Sequence, residues 1–406
     1  MRCVLWLLTM LATGLHVPVC AQLPAYLKFP HYTTGIGLPN GQITELNQDR
    51  AGFLWVAARS GISRFDGRLF RSYRLPASPR TRLADDTRPV FATDERGMLW
   101  LLTQRGLYRY DARLDSLLAV DTPLSHWLVR PDIHLLLDKK RHCFWMTTSR
   151  GLFRYDLHTG CTYPTSINQL FRPFRALLTV DDQLVIAASE GVYVYDPARN
   201  SHWFDTIDED GNEHFISAFM DTDGHIWMGR NGRGLVLFDP KTRQVTHFKP
   251  PTTLVQSKFI SIQDIATVPA VTGDSLLWLA THDFGLLFFN RRNRRFVGNY
   301  VAQPALIQGL LTNQIDRLFT DREGRLWLAN QALVQFDPAD QAMHTERLNI
   351  PPMNLQNSIP NREYPGRPSF PAICIRFTYT SGAMWTGICG KFGRSSSIPI
   401  TRSSRF

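Results

Sequence analysis

Cysteine is scarce in this chain, and long apolar runs are nearly absent. Of six cysteines in 406 residues, Cys3 and Cys20 fall within the first 22, leaving Cys143, Cys161, Cys374 and Cys389. They form no C-x-x-C pair and no His-rich spacing accompanies them, so neither a metal nor another cofactor is expected. Past residue 22 nothing approaches the roughly 20 apolar residues of a membrane helix, so no span is expected in this chain. A basic stripe is missing too. The formal charge is +10, but residues 351–406 carry seven Arg or Lys against one Glu, and Arg2 adds to the same sign. The body between is near balance, which argues against nucleic acid as a partner. An arginine triad, paired carboxylates at a retrievable spacing and a nucleophile elbow are all absent from the pattern, so no catalytic residues are assigned.

What is present begins with MRCVLWLLTMLATGLHVPVCAQ, one positive charge followed by a short apolar run and a small residue. Residues 1–21 read as a secretory signal cut between Ala21 and Gln22. A lipoprotein-type cut before Cys20 is less well supported, because Pro18 and Val19 replace small residues. In an exported chain disulfides can form. Cys143 and Cys161 nevertheless fall on the second and fourth strands of one unit, about 9 to 10 Å apart by strand spacing, too far for a bridge.

The informative feature is repetition. DRAGFLWVAARSGISRFD ends at Asp66 and DERGMLWLLTQRGLYRYD at Asp111, with DTDGHIWMGRNGRGLVLFD ending at Asp239 and DREGRLWLANQALVQFD at Asp337. Looser copies end at Asp156, Asp196 and Asn290. Six of the seven carry Trp at one place (Trp55, Trp100, Trp145, Trp227, Trp278, Trp327), and the seventh has Val185. Spacings of roughly 40 to 50 residues suit four short strands per unit.

Within a unit, an apolar first strand such as VFAT (Val90 to Thr93) leads into an Asp-x-x-Gly turn. The second strand carries the Trp, a turn leads to Gly (Gly61, Gly106, Gly151), and the third strand ends in an aromatic and Asp. The fourth strand is the weakest in pattern, as expected at a solvated rim. One such sheet leaves two apolar faces wet, and stacking units around an axis removes both from water. The expected architecture is all-β: a seven-bladed β-propeller of four-stranded antiparallel blades over residues 22–348, with the Trp residues packed between blades. KFPHY at Lys28 to Tyr32 resembles a displaced fourth strand able to close the ring. MHTERL at Met343 to Leu348 could fill the same place, and the sequence leaves both open.

The opening FPHYTTGIGLPNGQITELNQDRAGFLWVAARSGISRFDG resembles the first repeat of the two-component regulator propeller family, which forms the periplasmic sensor region of hybrid histidine kinases. The matching positions are Gly37, Leu38, Ile43, Leu46, Asp49, Gly52, Trp55, Gly61, Ile62, Arg64, Phe65 and Asp66. The Gly-Thr that the family places after Trp is Ala57-Ala58 in the first unit and Leu102-Thr103 in the second. The resemblance, over residues 28 to about 340, implies a periplasmic ligand sensor that binds an oligosaccharide. It implies as partners further sensor and kinase domains or a second copy of the chain. A second propeller, a β-sandwich, a membrane helix, a kinase and a regulator do not follow in this sequence. Residues 349–406 instead form an irregular, Ser-, Pro- and Arg-rich tail, as a frameshifted or truncated gene or a disordered terminus would give. The chain is therefore expected to bind and not to catalyse. A glycan-active propeller enzyme (lyase or glycosidase) and a protein-interaction scaffold are the alternatives.

Strand order puts the fourth-to-first loops and the second-to-third turns on one face of the ring, where propellers commonly take ligands. Trp127, flanked by His126 and Arg130, stands outside the repeated Trp position. It is either a stacking platform for a sugar ring or an aromatic packed on its own loop. Arg59, Arg105, Arg150, Arg233 and His282 occupy second-to-third turns on the same face and complete the candidate ligand-binding set.

Overall fold

Turn chemistry sets the strand boundaries. In the Asp-x-x-Gly turns the Gly takes positive φ (Gly52 91°, Gly97 77°, Gly224 81°, Gly324 81°) while the Asp carboxylate collects backbone amides. Each turn reverses the chain after the first strand, and the resulting hairpins are the repeating unit. The computed structural model describes residues 27–32, 37–38, 42–58, 61–75, 89–122, 133–148, 150–168, 174–188, 191–207, 215–257, 259–269, 275–302, 309–330 and 332–340.

Seven four-stranded antiparallel sheets result. Blade 1 comprises Ile43–Gln48, Leu54–Ala58, Gly61–Phe65 and Phe70–Tyr73; blade 2 comprises Val90–Thr93, Leu99–Thr103, Gly106–Asp111 and Ser116–Val120. Blade 3 comprises His134–Asp138, Cys143–Thr148, Gly151–Asp156 and Thr162–Asn168; blade 4 comprises Phe174–Val180, Gln183–Ala188, Gly191–Asp196 and Ser201–Thr206. Blade 5 comprises Phe215–Met220, Ile226–Arg230, Gly234–Asp239 and Gln244–Phe248; blade 6 comprises Ile262–Thr267, Leu276–Thr281, Leu286–Asn290 and Arg295–Tyr300. Blade 7 takes Arg317–Thr320, Leu326–Ala329 and Leu333–Phe336 from late in the chain and His31–Tyr32 from its beginning. The protein is a seven-bladed β-propeller.

The amino-terminal strand thus closes the ring. His31 pairs with Val334 and Tyr32 with Leu333, and the Tyr32 hydroxyl donates to Gln335 Oε1 at 2.6 Å. Leu27 and Phe29 are fully buried in the cluster shared by blades 6 and 7. The rival segment, Met343 to Leu348, lies outside the described residues.

Between blades the core follows one rule. Each Trp on a second strand packs against the aromatic that ends the third strand of the next blade. The pairs are Trp55–Tyr110, Trp100–Tyr155, Trp145–Tyr195, Trp227–Phe289, Trp278–Phe336 and Trp327–Phe65, with ring centroids 4.8 to 6.1 Å apart. At the remaining seam Val185 and Phe238 share a cluster with Trp203 packed beside them. Fourth strands stay wet, as the alternating exposed positions of Arg295–Tyr300 show. Cys143 is buried, Cys161 is exposed, and both are free thiols.

Candidate functional site

The first strands line the axis, and four of them are bulged. The register slips between Ile43 and Glu45, Phe174 and Ala176, Phe215 and Ser217, and Ile262 and Asp264. An extra residue in one strand re-aims its neighbours. In blades 1, 5 and 6 the bulged residues Thr44, Ile216 and Gln263 all line an axial cavity of about 380 Å³.

The cavity's polar wall comes mainly from blades 1, 6 and 7. Arg317 donates through Nε to the carbonyl of Thr44 at 3.0 Å and lies 3.6 Å from Glu45. Asp316 accepts from Gln42 at 2.6 Å and from Gln314 at 3.2 Å. Next to the lining residue Gln263, but not itself in the lining, Asp264 accepts the amides of Ile265 and Leu318, each at 2.9 Å. Across the axis His134 Nε2 lies 3.2 Å from the carbonyl of Phe174.

Charge here is only partly withdrawn from water. The Glu45 and Arg317 side chains keep 27% and 39% of their exposure although they lie at the centre of the ring, because they face an open channel. Burial pushes the Glu45 carboxyl up to about 7, Arg317 opposes that shift, and the Asp264 charge adds to it. Burial likewise raises the Asp264 carboxyl, again against Arg317. Burial works against the Arg317 charge, and Glu45, Asp264 and Asp316 together outweigh it, so the guanidinium holds its proton more tightly than usual. Carboxylates, amides and a guanidinium around one opening suit a ligand with many hydroxyls, each of which both donates and accepts.

The residues expected from sequence divide differently. Arg105, Arg150, Arg233 and His282 lie on the second-to-third turns of blades 2, 3, 5 and 6, as read from the repeat. Arg233 bridges to Ile260, and His282 Nδ1 sits 2.9 Å from Asp283. None of the four lines the axial cavity. Arg230, which ends the strand leading into the turn of Arg233, is buried with Nη1 2.8 Å from His247 Nδ1. Trp127, His126, Arg130 and Arg59 lie outside the described residues. Missed by sequence reading were Glu45, Asp264, Asp316 and Arg317. Their signal was present: charged residues interrupt the apolar first strands, as in QITEL and IQDIAT, at the strand nearest the axis.

No family model matches the chain. A stretch of 155 residues is 24% identical to histidine kinase P4 of Formosa agariphila, covering 37% of this chain and 11% of that one. The extracellular domain of BT4673 from B. thetaiotaomicron, described both as a one-component and as a hybrid two-component system, superposes with a TM-score of 0.61 at 20% identity. That match covers 77% of this chain and 40% of the other. The extracellular domain of the hybrid two-component system BT3049 from the same organism gives 0.61 at 21% identity over 77% and 42%. Virginiamycin B lyase from Staphylococcus aureus gives 0.58 at 13% identity, over 76% of this chain and 99% of the lyase. At these identities each structural likeness shows the fold alone. The chain is a propeller resembling the extracellular sensor domains of two-component systems and a distant homologue of a histidine kinase, and it spans less than half the length of those relatives.

Proposed function

We propose that this chain is the periplasmic ligand-sensing propeller of a two-component signalling system and that its ligand is an oligosaccharide. The observation that carries the reading is the axial cavity, whose wall of Glu45, Asp316, Arg317, Gln42 and Gln263 offers donors and acceptors around one opening. The sequence relationship to a histidine kinase and the fold shared with extracellular sensor domains support the signalling half of the reading. Ligand bound across first strands of several blades would bias the geometry or association of propellers, and so an attached or associated kinase. On this reading the chain binds and does not catalyse.

The test is a panel of neutral and acidic oligosaccharides screened by thermal shift, with hits titrated by calorimetry and incubated to follow chain length. Saturable binding without turnover is expected. Cleavage of any panel member would replace the sensor reading with a glycan-active enzyme, and a panel without a single binder would leave a protein-interaction scaffold.

A further inference from the structure

Two neighbouring seams of the propeller repeat the same arrangement, and only one of them has a carboxylate four residues after the Asp that ends the third strand. In the seam between blades 1 and 2, Arg64 stands opposite Trp55, and Asp115 occupies left-handed backbone (φ 45°) four residues after Asp111. Asp115 accepts the hydroxyls of Tyr73 and Tyr110, each at 2.6 Å, and pairs with Arg64 at 3.4 Å and with Arg71. Arg64 is drawn inward, its side chain 17% exposed and its guanidinium 4.6 Å from the Phe53 ring.

One seam on, Arg109 stands opposite Trp100 and Tyr155 takes the place of Tyr110. Gly160 (φ 69°), four residues after Asp156, now stands where Asp115 stood. Val120, opposite Leu107, stands where Tyr73 stood opposite Ile62. The carboxylate at that position and one aromatic ring are therefore missing, and a cavity of about 570 Å³ lies in this seam, bordered by Trp100, Arg109, Tyr155 and Gly160 and, on its other side, by Asp94 and Glu95. Among the described residues neither the guanidinium of Arg109, which is exposed where Arg64 is drawn inward, nor the hydroxyl of the buried Tyr155 has a hydrogen-bond partner. The two acids that line it are already engaged. Asp94 accepts the amides of Arg96 and Met98 and the indole of Trp100, and Glu95 lies 2.9 Å from His142. In the next seam the equivalent residue is Asn200 (φ 49°), which again accepts a tyrosine hydroxyl, from Tyr195 at 2.9 Å.

We infer that the seam between blades 2 and 3 is a binding site for a small carboxylate-bearing ligand, whose carboxylate takes the place that Asp115 fills one seam earlier. Arg109 and the Tyr155 hydroxyl hold it, because a guanidinium and a phenol together form charge-assisted hydrogen bonds with a carboxylate, as Arg64 and Tyr110 do with Asp115. The flanking Trp100 and Tyr155 rings give the remainder of the ligand an apolar wall. The inference stands apart from the axial cavity and does not depend on what binds there.

The chain itself suggests the test. Gly160→Asp would supply the missing carboxylate from within: Asp115 shows that an aspartate accepts this backbone, and a Cβ at Gly160 would lie 3.8 Å from the Tyr155 hydroxyl, an ordinary contact. Glucuronate, its methyl ester and succinate are titrated into the native protein, Gly160→Asp and Tyr155→Phe. The native chain is expected to bind glucuronate and not the ester. Binding of succinate as well would make the carboxylate alone the recognised group, and binding of glucuronate alone would make it a sugar acid. Gly160→Asp should keep or raise the melting temperature while losing the ligand, and Tyr155→Phe should weaken binding by about tenfold. Neutral oligosaccharides at the axis should be unaffected by either variant. No binding of glucuronate or succinate to the native chain, or undiminished binding to Tyr155→Phe, overturns the inference even if Gly160→Asp does not fold.

Discussion

Asp321 Oδ2 lies 2.8 Å from the indole nitrogen of Trp327, while Oδ1 of the same carboxylate accepts the amide of Arg325 at 2.9 Å. One side chain thus fixes both the turn and the indole that fills the seam to blade 1. Asp49, Asp94 and Asp221 do the same for Trp55, Trp100 and Trp227, and Asp138 for Trp145 through a turn one residue longer. In blade 6 the Trp278 nitrogen is buried without a partner among the described residues.

Replacing Asp49 by alanine strips acceptors from the Phe53 amide and the buried Trp55 indole. A loss of about 2 to 4 kcal/mol is expected, since each unsatisfied buried donor costs roughly 1 to 3. Urea unfolding measures it. A change below half a kcal/mol would mean that the aspartate of this turn does not stabilise the blade.

Trp145→Ala should cost about 3 to 5 kcal/mol, because the indole is 2% exposed and packs on Tyr195 across the seam. Val185→Ala, at the equivalent position of blade 4, removes a smaller volume and should cost about 1 to 2 kcal/mol. The ratio of the two, read from chemical denaturation, checks whether the seams carry the stability.

Deleting residues up to Tyr32 removes the fourth strand of blade 7 together with the buried Leu27 and Phe29. The exposed edge of Leu333–Phe336 would then be free to pair elsewhere. A sharp fall in melting temperature with concentration-dependent association is expected in light scattering; a monomer of native stability would show that closure lies elsewhere.

Glu45 carries the pH prediction. Its folded pKa of about 7 exceeds the ordinary carboxyl value of 4.5, so the folded state binds the proton more tightly than the unfolded chain. Its contribution is fully present below about 4.5 and is lost as pH rises through 7, amounting to at most about 3 kcal/mol. Glu45→Gln should therefore gain stability relative to the native chain at pH 8 compared with pH 4.5, by a few degrees in thermal melts. A pH-independent difference would place the shift on another group.

The repeat made the fold legible because the residues that punctuate it act locally. Asp and Gly set the turns, and Trp and the third-strand aromatic meet by register alone, so the seams follow once the blades are counted. Ring closure is ambiguous in the sequence because KFPHY and MHTERL can both fill the place of a fourth strand; pairing of Tyr32 with Leu333 and burial of Phe29 distinguish the first, and both are properties of the assembled ring. The site was less legible for the same reason. Glu45, Asp264 and Arg317 are separated by about one to six blades in sequence and meet only at the axis. Arg105 and Arg150 stand out in the sequence because a turn position recurs, yet recurrence marks the scaffold more readily than the cavity. The bulges that turn Thr44 and Gln263 inward have no fixed residue signature.

The most direct measurement is calorimetric titration of the native chain and of a Gln42→Leu, Gln263→Leu double variant with the best neutral oligosaccharide from the panel. These two amides line the axial cavity, and leucine is close to them in size. The account predicts saturable heat with the native protein and at least a tenfold weaker response from the variant, at a melting temperature lowered only by the loss of the Gln42–Asp316 hydrogen bond. Equal affinity in the two proteins would contradict it.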